Sequence, residues 1–288
     1  MPFLPSIAGF TVGVPDLETA VHAYHHFLDY ELTWQGKADS LADLWGLPEQ
    51  RNTRVAQLVP KEEASGFVRL VQVPSVDNFV PFRYPGWNAA EIAVADVDAL
   101  AQTLADSPFR ILGPPAELSI SDDIRAMQVE GPGGELLYLT QIKAPIPGFE
   151  LPILKQGVGH CFVGIVAGTN ASEIKGWYRQ QFGLADSPLV PARVQGLSLA
   201  FDLDREHKHP ICALAMAPGF LIEIDQMPAA DPRPSVQGLP AGIISLSLSV
   251  ATLDEDLTTV ALPDGGAIAA QVTGNAGEWL ELFISPDP

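Results

Sequence analysis

The sequence predicts an α+β fold assembled from four similar units, and three observations lead there. Two long segments repeat one order of strand, amphipathic helix and later strand at a common spacing. Two shorter segments show the same order in the gaps. Each unit closes on a strand that follows a glycine turn.

The first unit begins with I-A-G-F-T-V-G-V-P-D-L (7–17), a strand that turns at Pro15-Asp16 into a helix holding Ala23-Tyr24 and ending near Leu28-Asp29-Tyr30. The third begins with V-G-H-C-F-V-G-I-V-A-G-T-N (158–170), and its helix holds Trp177-Tyr178 and ends at Phe182-Gly183-Leu184. Both reach a strand opened by Gly-Phe, G-F-V-R-L-V-Q-V (66–73) and G-F-L-I-E-I-D-Q (219–226). Tyr24 to Arg69 is 45 residues, and so is Tyr178 to Glu223, which chance does not readily supply.

The second unit runs from A-A-E-I-A-V-A-D-V-D-A-L (89–100), read as strand then helix, to G-P-G-G-E-L-L-Y-L-T-Q-I (131–142). The fourth runs from I-S-L-S-L-S-V-A-T-L-D-E-D-L (244–257), read the same way, to G-E-W-L-E-L-F-I-S (277–285). Ser245, Ser247 and Ser249 alternate with Leu246, Leu248 and Val250, so the leucines belong to a core and the hydroxyls to the opposite face. The proline-rich stretch 143–152 separates the second unit from the third. The expected division is a half over 1–143, a linker over 144–155 and a half over 156–288.

Composition narrows the function. Sixteen basic against 35 acidic residues give a net charge of −19, which repels nucleic acid and anionic lipid. No apolar run is long enough to span a bilayer, and Met1-Pro2-Phe3-Leu4-Pro5 lacks the basic start of a signal peptide. The expectation is a soluble cytoplasmic protein whose partner is a small molecule; a homodimer is compatible with it. Cys161 and Cys212 have no metal-type spacing and read as buried thiols.

Four β-α-β-β-β units, an aromatic-Tyr pair ahead of Phe-Gly-Leu, and late strands reading P-G-G-E-L-L-Y-L or G-E-W-L-E-L resemble the vicinal oxygen chelate superfamily, which includes glyoxalases, extradiol dioxygenases and bleomycin-type resistance proteins. The resemblance covers nearly the whole chain. It implies that units pair, each pair curling into a mixed-sheet half-barrel around a pocket. It also implies metal ligands from the first and last strand of each unit. Carried over, the N-terminal slots are Gly9, Arg69, Ala89 and Tyr138, a set poor in metal ligands. The C-terminal slots are His160, Glu223, Ser245 and Glu281.

The resemblance therefore implies a divalent-metal enzyme in the C-terminal half. His160, Glu223 and Glu281 would hold Fe, Zn, Mn or Ni, and Ser245 would bond substrate or a metal-bound water. Glu223 would act in catalysis as well, and Ser247, Arg69 and Tyr138 are candidate substrate contacts. Lyase, isomerase or ring-cleaving dioxygenase chemistry on a carbonyl or aromatic substrate would follow. Extradiol enzymes carry a paired-histidine turn near the place of R-E-H-K-H-P (205–210), which makes His209 a candidate acid–base residue; an exposed turn is the alternative. Each ligand also has a plain reading: a hydrogen-bonded core histidine, or carboxylates on a solvated strand face. Glu91, on the predicted face of Ala89, could be the ion-pair partner of Arg69. His22, His25 and His26 share a helix face that reads as solvated. The competing function is metal-free binding of an aromatic or drug-like molecule.

Overall fold

The computed structural model describes residues 3–63, 66–118, 121–262 and 267–284. The first unit contains β1 (Ser6–Val14), α1 (Leu17–Phe27), β2 (Tyr30–Lys37), α2 (Asp39–Leu44), β3 (Arg54–Pro60) and β4 (Phe67–Gln72). The second contains β5 (Gly86–Val94), α3 (Val97–Leu104), β6 (Arg110–Leu118), β7 (Ser121–Glu130) and β8 (Leu136–Ile142). The third contains β9 (Val158–Gly168), α4 (Ala171–Phe182), β10 (Val190–Ala192), α5 (Gln195–Ala200), β11 (His209–Ala215) and β12 (Leu221–Gln226). A small hairpin of β13 (Ser235–Val236) and β14 (Leu239–Pro240) leads into the fourth, with β15 (Ile243–Val250), β16 (Thr259–Ala261), β17 (Ile268–Thr273) and β18 (Trp279–Ile284).

Three units turn from strand to helix by one device. Asp16, Asp96 and Asn170 accept a hydrogen bond from the backbone N–H three residues on, satisfying a donor that the first helical turn leaves open. The apolar stripe then buries Leu17, Ala20, Ala23 and Tyr24 in α1, and Ala171, Ile174 and Tyr178 in α4. The fourth unit departs from the expected pattern. Residues 251–258 form bends and turns and no helix, because the stretch between β15 and β16 is too short to repay helix nucleation.

Eight strands form each main sheet. The first runs β16-β17-β18-β15-β1-β4-β3-β2, and the second β10-β11-β12-β9-β5-β8-β7-β6. In every unit the first and last strands lie parallel and adjacent. Units meet through antiparallel first strands, β1 with β15 and β5 with β9. So unit one shares a sheet with unit four, and unit two with unit three. This corrects the expected halves over 1–143 and 156–288. The stretch 144–155 returns the chain from β8 to β9 of one sheet rather than separating two domains. The helices restore the other pairing. The Tyr24 hydroxyl donates to Glu135 Oε1 at 2.7 Å, and the Tyr178 hydroxyl to Glu278 Oε1 at 2.9 Å, joining unit one to two and three to four.

The main core lies between the sheets and takes Phe10, Val12, Leu70, Leu246 and Leu248 from one, and Ile92, Leu139, Val166 and Ile222 from the other. The approach is close at Gly164, where an added Cβ would stand 2.7 Å from Leu246. The opposite face of each curved sheet encloses its own interior, and a separate apolar cluster fills part of each.

Candidate functional site

Register explains which side chains enter the interiors. Thr11 pairs with Arg69, Glu91 with Tyr138, Ile165 with Glu223, and Ser247 with Glu281, one such pair per unit. The first-strand slots are therefore Thr11, Glu91, Ile165 and Ser247, not Gly9, Ala89, His160 and Ser245. The counted slots lie two residues early in β1, β5 and β15 and five early in β9, while the first-to-last strand pairings themselves are regular.

In the first half-barrel Ser245 and Ser247 do face inward, and both are fully buried. They hold Glu281. Its Oε1 accepts from Ser245 Oγ at 2.8 Å and Trp45 Nε1 at 3.1 Å; its Oε2 accepts from Arg69 Nη1 at 2.6 Å and Ser247 Oγ at 3.0 Å. Arg69 is 1% exposed, reaches Thr11 Oγ1 at 3.3 Å and lies over the Phe67 ring. Burial pushes the Glu281 carboxyl up, but the Arg69 charge and the hydrogen bonds from Trp45 and Ser245 outweigh it and hold it below its ordinary value. Leu41, Leu44 and Trp45, on and just beyond α2, fill the remaining space with Val55, Val71 and Ile244. A metal does not fit here: each Glu281 oxygen takes two donors, and a guanidinium already neutralises the charge.

The second half-barrel has the opposite character. Glu91 and Glu223 line a cavity of about 100 Å³, walled by Phe162, Leu221, Ile124 and Ile142 and by Ile146, Phe149 and Leu151 of the connecting stretch. That stretch is pinned by an Ile146–Phe149 bridge and by Gly219 N–H donating to Glu150 O at 2.9 Å. Glu91 Oε1 accepts from Thr140 Oγ1 at 2.6 Å. Asp225 lies two residues beyond Glu223 on the same face and is 1% exposed. Neither of its oxygens meets an N–H or hydroxyl donor, which leaves only a proton shared with Glu223.

No cation compensates these acids among the described residues. Burial pushes Glu91 up to about 8, with the Glu223 charge adding to it against the Thr140 hydrogen bond. Burial also raises Glu223, helped by Asp225, and raises Asp225 itself. The Tyr138 phenol is raised too, by burial and then by Asp225, Glu223 and Glu91. Such carboxyls are protonated near neutral pH unless a positive group enters.

The sequence-predicted ligands do not converge. Glu281 is in the first sheet; Glu223 is in the second. His160 lies on β9, five residues before the Ile165 that pairs with Glu223. Its Nδ1 is 2.5 Å from Glu63 Oε2, and its ring packs on Phe220. Burial raises Glu63, but the hydrogen bond and charge of His160 prevail and lower it. Among the described residues no group of three or more His, Cys, Asp or Glu is arranged to hold a metal ion. His209 is buried rather than on an exposed turn, with Nε2 3.2 Å from Ser198 Oγ, and it does not line the cavity. Arg69 pairs with Glu281, not Glu91. Tyr138 and Glu223 face one interior, whereas the expected pairing of units placed them in separate halves. Sequence reasoning missed Asp225 and the role of Glu91, although E-I-D places two acids on one strand face.

The fold that these sheets define is the vicinal oxygen chelate fold. Glyoxalase I from Zea mays superposes with a TM-score of 0.64 at 13% identity, covering 97% of this chain and 92% of that one. A dioxygenase-like protein from Bacillus subtilis superposes with a TM-score of 0.62 at 10% identity, covering 99% of this chain and 87% of that one. No protein-family model and no curated protein matches the sequence. Among the described residues no helix is long and apolar enough to cross a membrane.

Proposed function

We propose that this chain takes up a small organic molecule in the second half-barrel without a resident metal ion. One observation supports the reading above the rest. That interior holds a cavity, and among the described residues its only polar lining side chains are the carboxyls of Glu91 and Glu223. Apolar walls with a few convergent polar groups are the usual makeup of a ligand site. An enzymatic role is supported by the Glu223–Asp225 pair, since two carboxyls holding one proton can accept and return a proton in an isomerase or lyase step. The metal-dependent reading through His160, Glu223 and Glu281 lacks a converging donor set.

The test is a thermal-shift screen of small carbonyl, aromatic and amine compounds, run with and without chelator, alongside elemental analysis. Stabilisation that survives chelator and is lost in Glu223→Gln is expected. Near-stoichiometric metal that disappears in Glu281→Gln would return the function to the first half-barrel and overturn the proposal.

A further inference from the structure

The two interiors are built on equivalent slots, and their contents differ in one respect that names a ligand class. In the first, the last-strand acid Glu281 faces the last-strand cation Arg69 of the paired unit. In the second, the last-strand acid is Glu223 and the paired slot holds Tyr138. The first-strand slot that is Thr11 in one interior is Glu91 in the other. The second interior thus gains acids where the first has a cation. We infer that the occupant of the second half-barrel is a small organic cation, an ammonium head on a short apolar body, which supplies the charge that Arg69 supplies in the first. This inference rests on the proposed function and specifies its ligand.

Other occupants match less well. A carboxylate or phosphate would set like charges together in an apolar cavity. A neutral carbonyl compound can accept from a protonated Glu91 or Glu223, but it brings no charge to offset the acids as Arg69 offsets Glu281. An ammonium group brings three donors, and the carboxyls of Glu91 and Glu223 line the cavity to accept them. Phe149 and Phe162 in the walls suit a cation and its alkyl or aryl body alike. The cavity, about 100 Å³, is below the range of drug-sized pockets, so the body is short.

Three probes with one carbon skeleton test this: 3-methylbutylamine, 3-methylbutan-1-ol and 3-methylbutanoate, titrated calorimetrically at pH 8 into the full chain, with Zn²⁺ alone as a fourth arm. The amine is expected to bind at least about tenfold more tightly than the alcohol, the carboxylate not at all. Glu223→Gln is expected to bring the amine to the affinity of the alcohol, and Glu91→Gln serves if that variant does not fold. Equal or tighter binding of the alcohol to the unaltered protein overturns the cationic ligand while sustaining the cavity as a binding site. Failure of all three organic probes overturns both. Zn²⁺ binding that exceeds the amine and is lost in Glu223→Gln overturns the organic cation in favour of a metal.

Discussion

The half-barrel of β1, β4, β15 and β18 and the half-barrel of β5, β8, β9 and β12 share a topology and a register, yet one is closed and the other receptive. Glu281 spends both oxygens on four donors and is neutralised by Arg69. Glu223 has a second carboxyl beside it and, among the described residues, no cation. The difference teaches that in a repeated fold the fate of a pocket is set by a few slot residues. An arginine in one last-strand slot turns a concave polar interior into a finished salt bridge, while a tyrosine in the equivalent slot leaves the acids to a ligand.

The largest expected effect comes from unmaking the closed site. Arg69→Ala leaves the Glu281 carboxylate buried and unpaired, so chemical denaturation should show a loss of about 3–5 kcal/mol. The double variant Arg69→Met with Glu281→Leu should recover most of that loss, because the charge that required compensation is gone. A small loss in the single variant would mean that water reaches Glu281 and that the interior is open.

Next is the pH dependence of stability, governed by the receptive site. Glu91 has a folded value of about 8 against an ordinary 4.5, so its stabilising contribution is full below about 4.5 and is lost as pH rises through 8. Glu223, Asp225 and, outside the site, Glu135 are also raised and act in the same direction. Glu281 is lowered and opposes them only below its ordinary value, where acid removes its contribution. Melting temperature should therefore fall by several degrees between about pH 5 and 8.5, on the scale of about 2–4 °C per kcal/mol. Glu91→Gln should flatten that slope. A melting temperature that rises across the window would contradict the uncompensated acids.

Smaller effects separate the two interiors further. Ser245→Ala removes one of four donors to Glu281 and should cost about 1 kcal/mol in denaturation while leaving ligand affinity in the second half-barrel unchanged. His160→Ala removes a part-buried contact with Glu63 and should cost no more than about 1 kcal/mol, again without effect on ligand affinity. A large fall in affinity in either variant would bring those residues back into the site.

Much of this arrangement is legible in the sequence. Period-two alternation sends Leu246 and Leu248 to the core and Ser245 and Ser247 inward, and the 45-residue spacing locates the Arg69 and Glu223 slots. The choice of sheet partner is not legible. The first strands of all the units are apolar, so nothing local tells β1 to pair with β15 rather than β5. Thr11 and Glu91 then occupy slots that residue counting gives to Gly9 and Ala89, because counting along one strand does not show which residue faces the partner strand. Asp225 is not legible as a site residue, and Glu91 reads as a partner of Arg69, because an acid beside apolar residues has no assigned partner until the opposing strands are known. The 144–155 stretch reads as a linker by composition alone, yet Ile146, Phe149 and Leu151 wall the cavity.

The most direct test is a high-resolution crystal structure after soaking with 3-methylbutylamine. Ordered ligand density between Glu91 and Glu223, with Arg69 still bonded to Glu281, is the predicted result. Density beside Ser245 and Ser247 with Arg69 displaced from Glu281, and an empty second half-barrel, would contradict the assignment of closed and receptive sites.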